Sequence, residues 1–460
     1  MTFLKASQSR LMLISVLLVL CGCASPGSQS SAAQKVPNVV LVVAEDIGYG
    51  DLGCYGQKLI RTPNLDRLAS EGVRFNQFYS GSAIATASRA VLMTGKHTGH
   101  ATIRGTNPEQ YPLSSSDLTL GEIMKSAGCT NGAIGVWSLG SEASGSTPNK
   151  RGFEEWFGYL SDQHAAQYYP EFLWRNEGVI ALEDNVKGKR GTFAPDYFTL
   201  ASTNFIRINA AAPYRPNQRF FLYLSTPLAR VGAGNVMEIP STFPYSAEGW
   251  SQAEKNKAAT ISHLDAAVGL LIKALESVNA TTNTVFIFTS SNGPHKEDGT
   301  DPRFFKSTGG LKGMKRELYE GGIRVPLIIW APGLIKGGTV SETPAAAWDI
   351  LPTITQLAGV AAPKDIDGRS LVPTFSGREE PAGRKFYWEL HEGGFQQAAR
   401  IGAWKGIRTA PGKPLELYNI EDDPSESADM AARKPAIVAE LEAYLKSARS
   451  ESERWPMPKK

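Results

Sequence analysis

Residues 39–43 read Val-Val-Leu-Val-Val, with no polar position among them. A strand with one wet face alternates apolar and polar residues. A continuous β-branched run has no wet face and must be covered on both sides. The stretches 220–224 (FFLYL), 285–288 (VFIF) and 326–330 (PLIIW) have the same character. All four read as buried parallel strands. Between them lie helical patterns at 64–71 (NLDRLASE) and 253–277, where apolar residues recur at helical spacing. The alternation specifies an α/β fold with a doubly wound, mostly parallel sheet. A chain of 460 residues, 42% hydrophobic, can build one large domain of this kind and a smaller one.

The pattern changes after residues 345–359 (AAAWDILPTITQLAG), which read as one helix ending at Gly359. Short strands at 386–388, 398–401, 404–408 and 415–419, followed by a helix at 436–447, read as a C-terminal α+β subdomain. The expected division is an α/β domain over 37–375 and the smaller subdomain over 376–460.

The first 36 residues have a separate role. Lys5 and Arg10 precede the apolar run LMLISVLLVL, which is short for a membrane span and fits a signal-peptide core. Leu20-Cys21-Gly22-Cys23 resembles a bacterial lipobox, in which Cys23 is lipidated and becomes the mature N-terminus. The other reading is a plain secretory signal cut nearby. Residues 1–22 are then a lipoprotein signal peptide and 23–36 a Ser/Gly/Ala-rich tether. The expected location is the bacterial cell envelope, lipid-anchored, in the outer membrane or periplasm. Cys54 and Cys129 remain; an oxidising compartment would let them pair, but the sequence gives no geometry for it, and they are read as free by default. The formal net charge is +3. That is no basic excess, so nucleic acid is not an expected partner.

Sites in open α/β sheets form beyond the carboxyl ends of the strands. The first strand ends in Glu45-Asp46, a carboxylate pair that suits a divalent cation or, alternatively, a helix cap. The strand at 285–288 leads to Ser291-Asn292-Gly293, where Asn292 offers one more oxygen. The stretch SGSAIATASRAVLMTG (80–95) reads as a loop entering a helix, with Arg89 near a helix start, which favours an oxyanion. Lys315 lies in a basic loop before Gly321-Gly322.

These segments together resemble the sulfatase family of the alkaline phosphatase superfamily. The resemblance is carried by PNVVLVVAEDIGYGDLGCYG (37–56), TPNLDRLASEGVRFNQFYSGS (62–82), SRAVLMTGKHTGH (88–100), FIFTSSNGPH (286–295) and LKGMKRELYEGGIRVP (311–326). IDGRSLVPTF, IGAWKGIR and ELYNIEDDPSE extend it through the subdomain. The resemblance implies a calcium-dependent sulfate ester hydrolase whose nucleophile is a hydrated formylglycine, made from Cys or Ser in a C/S-x-P-S-R motif.

That chemistry does not carry over residue by residue. The motif here reads Ala85-Thr86-Ala87-Ser88-Arg89. Ala85 holds the nucleophile position and has no heteroatom, so no formylglycine and no covalent step are expected. The two aspartates of the family correspond to Glu45 and Asp46, and its Asp-Asn pair to Ser291 and Asn292. Calcium takes about 6–8 oxygens, several of them anionic. The resemblance therefore implies a depleted metal set of Glu45, Asp46 and Asn292, and weak or absent Ca²⁺. The family lysine of a G-K-W segment is Val136, the histidine that follows is Ser138, and the histidine after the strand at 220–224 falls at Ala229 or Arg230. Arg89, Lys315 and His164 are retained as anion-binding candidates, while Ala166 stands where relatives often carry a second histidine.

Three readings follow. The first is a sulfatase-fold protein without ester hydrolysis that holds a sulfated or other anionic glycan. The second is a hydrolase of sulfuric or phosphoric esters with a rewired nucleophile, for which Thr86 is the nearest hydroxyl and Ser88 is read as a helix cap. The third is a cell-surface interaction lipoprotein. Tyr168, Tyr169, Phe172 and Trp174 lie on an aromatic loop that either stacks on a sugar or packs into the core.

Overall fold

The computed structural model describes residues 36–106, 111–375, 378 and 383–458. The signal peptide, the lipobox with Cys23 and the tether up to residue 35 lie outside the described residues.

The strands in chain order are β1 (Asn38–Ala44), β2 (Val73–Phe75), β3 (Phe78–Tyr79), β4 (Thr130–Val136), β5 (Glu155–Tyr159), β6 (Phe172–Arg175), β7 (Gly178–Ala181), β8 (Phe220–Ser225), β9 (Thr284–Ser290), β10 (Leu327–Trp330), β11 (Thr339–Ser341), β12 (Ala345–Ala346), β13 (Lys385–Leu390), β14 (Gln396–Ile401), β15 (Trp404–Arg408) and β16 (Glu416–Asn419). The helices are α1 (Pro63–Glu71), α2 (Ala85–Thr94), α3 (Leu120–Ser126), α4 (Asp162–Ala165), α5 (Ala194–Asn209), α6 (Gln252–Ser277), α7 (Glu320–Ile323), α8 (Ile350–Leu357), α9 (Val372–Phe375) and α10 (Pro435–Ser447).

Ten strands form one sheet in the order β11-β2-β10-β9-β1-β8-β4-β5-β6-β7. Its centre, β9-β1-β8-β4-β5, is parallel throughout. The apolar runs explain why: β1, β8 and β9 are buried at every position. Val39, Leu41 and Val43 face one core layer, and Val40 and Val42 the other. α6 is apolar and long enough to cross a bilayer, but 72% of that stretch is buried within the protein, so it is a core helix.

Two expectations are corrected. Residues 326–330 do form a buried strand, but β10 runs antiparallel to both β9 and β2. The stretch 345–359 is not one helix. Ala345–Ala346 pairs with β3, the Asp349 carboxylate accepts the Ala346 N–H at 2.7 Å, and α8 starts only at Ile350. The C-terminal subdomain is an antiparallel sheet, β13-β14-β15-β16, with α10 packed on it. Cys54 and Cys129 are free.

Candidate active site

Five parallel strands send their carboxyl ends to one edge, and much of the site's polar lining follows from that. β1 delivers Glu45 and Asp46, β9 delivers Ser291 and Asn292, and β8 leads through Thr226 to Arg230. β4 leads to Ser138 and β5 to Asp162. Backbone bonds fix the edge: Ser291 N–H donates to Ala44 O at 2.9 Å, and Ala229 N–H to Glu45 O at 2.7 Å.

α2 brings the motif to this edge. It begins at Ala85 and runs to Thr94, and it is closed by Gly95, whose positive φ of 68° lets its N–H reach Val91 O. Ser88 is therefore inside the helix and does not cap it; Ile84 occupies the cap position. The Ser88 hydroxyl donates to Ser82 O at 2.9 Å and accepts Ser82 N–H at 2.8 Å, tying down the preceding loop. Arg89, one turn beyond Ala85, is fully buried.

Arg89 is spanned by two carboxylates. One terminal nitrogen donates to Glu45 Oε1 at 2.6 Å and the other to Asp162 Oδ1 at 2.7 Å. Arg230 stands beside it, 3.2 Å from Asp162 Oδ1 and 3.4 Å from Glu45 Oε2. The second Asp162 oxygen accepts the hydroxyls of Thr86 and of Ser138, the latter at 2.8 Å. Burial opposes ionisation of Asp162, but Arg89, Arg230 and the two hydroxyls outweigh it and hold the carboxyl far below its usual range. For Glu45 the balance is reversed: desolvation outweighs both arginines and raises its pKa.

The second carboxylate pairing lies next to the first. Lys315 Nζ is 2.7 Å from Asp46 Oδ2 and 3.6 Å from Glu297 Oε2. Asn292 donates its amide to Asp46 Oδ1 at 2.8 Å, and its own carbonyl oxygen accepts Ser291 Oγ at 3.0 Å. Burial opposes the Asp46 charge, yet Lys315 and His295 overcome it and its pKa is lowered. His295 is buried, accepts Glu297 N–H through Nδ1 at 3.1 Å, and is pushed down to about 4 by desolvation.

The structure thus brings together Glu45, Asp46, Arg89, Ser138, Arg230, Ser291, Asn292 and Lys315. Of the two residues at the histidine position, Ala229 is buried and apolar while Arg230 enters the cluster. Val136 ends β4 as a buried apolar residue. His164 stays apart. Its ring packs on Tyr159 at 4.8 Å and Phe172 at 4.5 Å, and burial lowers its pKa. Within the aromatic loop, Tyr168 is fully buried, stacks on Phe193 and donates its hydroxyl to Arg230 O at 2.7 Å. It braces the site from behind. Asp162 is the residue that the sequence reading does not single out. The available signal was Ser161, a helix-capping residue type, directly before a carboxylate just past the end of an apolar segment.

A divalent cation would need the free oxygens of Glu45, Asp46 and Asn292. Each of those oxygens already faces an internal donor, and three cationic side chains supply the positive charge. As arranged, this set does not fit calcium. A different group, His97, His100 and Asp367, brings three potential ligand atoms within 4.8 Å of one another. There, His97 Nδ1 accepts Gly99 N–H at 3.1 Å, so Nε2 carries the ring proton and points at Asp367, 3.4 Å away. A ligating imidazole needs the opposite tautomer.

The sequence profile of the sulfatase family matches residues 37–360, and that of the N-sulphoglucosamine sulphohydrolase C-terminal region matches 313–451. The chain is 31% identical to the N-acetylgalactosamine-6-sulfatase of Rattus norvegicus over 398 residues, which cover 81% of this chain and 70% of the relative. It is 30% identical to arylsulfatase A of Homo sapiens over 451 residues, 89% of this chain and 82% of the relative. Among solved structures it is similar to Ps i-CgsB in complex with k-i-k-neocarrahexaose, with TM-score 0.76 and 26% identity over 89% of this chain and 92% of that one. A mostly parallel α/β sheet with a small antiparallel C-terminal sheet, carrying its polar cluster at the strand ends, is the sulfatase architecture. The chain belongs to the sulfatase family.

Proposed function

We propose that this chain is a sulfatase-fold protein that does not cleave sulfate esters. The observation that carries the reading is the pairing of Arg89 with Glu45 and Asp162 one turn beyond Ala85. The position that carries the family's nucleophile ends in a methyl group. The neighbouring guanidinium, which would otherwise meet an anion, is neutralised from within. The cation-binding carboxylates are held by Arg89, Arg230 and Lys315, so calcium is weakly bound or absent, and alanine at position 85 leaves nothing to convert to formylglycine.

The partner we propose is a sulfated or otherwise anionic glycan lodged against this strand-end cluster. Support comes from the similarity to Ps i-CgsB, solved with a neocarrahexaose. We further propose that Cys23 is lipidated and anchors the protein in the bacterial cell envelope, in the outer membrane or facing the periplasm.

One contact favours the alternative of a rewired hydrolase: the Thr86 hydroxyl is hydrogen-bonded to Asp162. A general base, however, works best with a pKa near the operating pH. Asp162 is held ionised far below that by two arginines, which makes it a poor acceptor for the Thr86 proton.

The test is turnover of 4-nitrophenyl sulfate and 4-nitrophenyl phosphate by the purified protein, with and without calcium. No turnover is expected, and none in Ala85→Cys, because the other groups are also replaced. Turnover by the unaltered protein that disappears in Thr86→Ala selects the rewired hydrolase instead. Thermal shift with sulfated glycans reads the partner: ligand at about 100 times its Kd adds about 2.7 kcal/mol.

A further inference from the structure

We propose that the Arg89, Arg230, Thr86 and Ser138 donors form an oxyanion seat whose resident anion is the chain's own Asp162 carboxylate. The seat takes a free oxyanion only when that carboxylate is removed. This rests on the non-hydrolytic reading, because a seat filled from within cannot also receive the oxygens of a sulfate ester.

The donor set is what a bound oxyanion requires. Two guanidinium groups face Asp162 Oδ1, at 2.7 Å from Arg89 and 3.2 Å from Arg230, and two hydroxyls point at Oδ2. Four donors on one carboxylate, two of them charged, match the way carboxylate and phosphate groups are recognised. The donors come from three separate parts of the sheet edge: α2, the turn after β4, and the loop after β8. They converge on this anion, with Glu45 as a further partner of the two arginines and a long 3.5 Å contact from Arg89 to the Thr86 hydroxyl. Asp162 itself arrives from a fourth place, as the first residue of the short α4. Its side chain is 30% exposed while Arg89 beneath it is fully buried, so the carboxylate closes the seat from its open side.

Charge balance gives the consequence. Arg89 and Arg230 face two carboxyl groups, those of Glu45 and Asp162, and Asp162 is the one held firmly ionised. Without Asp162, one buried cation loses its counter-charge, which is strongly destabilising. A small anion entering the space restores both the charge and the hydrogen bonds. The glycan proposed above is accordingly recognised by contacts outside the seat and not by a sulfate placed in it.

The experiment is chemical replacement of the missing carboxylate. Asp162→Ala removes the volume of a formate ion. The unaltered protein and the variant are titrated with sodium formate and sodium sulfate, with sodium chloride holding the ionic strength constant, and the melting temperature is followed. The expected result is a saturable rise in the variant, with an apparent Kd at least tenfold lower than any seen for the unaltered protein. Adding Arg230→Gln to the variant should abolish it. If Asp162→Ala does not fold, Asp162→Ser opens similar room and keeps a small polar group beside Thr86 and Ser138. Saturable sulfate binding by the unaltered protein in the same range as the variant overturns the proposal, and so does a variant with no saturable response. Neither readout involves turnover. Aryl sulfate cleavage by the unaltered protein would overturn the non-hydrolytic reading separately.

Discussion

Lys315 Nζ lies 2.7 Å from Asp46 Oδ2, joining the end of the first strand to a loop 269 residues later in the chain. The Asp46 carboxylate is almost wholly buried, and its other oxygen has only the neutral Asn292 amide. An internal ammonium therefore does at Asp46 what a bound cation does in a metal-dependent site: it offsets a charge that burial disfavours.

Removing that ammonium should be costly. Lys315→Met leaves Asp46 buried and uncompensated, with an expected loss of about 3–5 kcal/mol in urea unfolding. Adding Asp46→Asn should recover most of it, because the orphaned charge goes too. Losses that simply add in the double variant would show that the two residues are not coupled.

Acid should weaken the molecule partly through His97. Burial pushes its pKa down to about 4, and its Nδ1 is fixed as an acceptor for Gly99 N–H. The folded value lies below the unfolded one of about 6.5. Its contribution is therefore fully present above pH 6.5 and is lost as pH falls toward 4, by up to about 3 kcal/mol. His97→Asn, which keeps an acceptor for that N–H, should lose less melting temperature than the unaltered protein between pH 7 and 4.5. Parallel curves would remove His97 from the account.

The parallel core was legible because burial on both faces leaves a continuous apolar run, as in residues 39–43. Strand direction was not legible, because apolarity records burial alone. β10 is as fully buried as the parallel strands β1, β8 and β9, yet it runs antiparallel to β9. Residues 345–359 look helical by composition, yet the pairing of Ala345 with Phe78 and the Asp349 bond to Ala346 N–H break them. Glu45, Asp46, Asn292, Arg89 and Lys315 were readable because each sits beside a recognisable strand end, helix start or glycine pair. Asp162 was not, because β5 (EWFGY) carries Gly158 next to its last residue and does not look like a strand. The structure gives the reason: at φ 155° Gly158 lies against β4, and a Cβ there would stand 1.9 Å from Gly135 O. The close approach that hides the strand also carries β5 to the site.

Glu426 should make stability depend on pH in the opposite sense to His97. It shares the buried Lys405 with Glu320, at 3.0 and 2.9 Å, and accepts Glu320 N–H at 2.7 Å. Desolvation and the neighbouring Glu320 charge raise its pKa. A carboxyl raised in the folded state is most favourable when protonated, so stability falls as pH rises from the unfolded value through the folded one. Glu426→Gln lacks that titration. Its melting temperature relative to the unaltered protein should therefore rise between pH 4.5 and 8, whatever fixed offset the amide introduces. A pH-independent difference would mean that Glu426 titrates normally.

Arg89→Lys should behave as a severe change. Arg89 uses two different terminal nitrogens, at 2.6 and 2.7 Å, to hold Glu45 and Asp162 from one buried position. An ammonium is a single point charge on a shorter reach and cannot span both with the same geometry. One carboxylate is then left to Arg230 alone, and the expected loss is about 3 kcal/mol in guanidinium unfolding with an unchanged m-value. Combining Arg89→Lys with Asp162→Asn should lose less than the sum of the single changes, since the second removes the charge that the first abandons. If Arg89→Lys shifts stability by under about 0.5 kcal/mol, the size of an ordinary surface substitution, then the guanidinium does not bridge the two carboxylates in solution. The internally neutralised site would lose its central member.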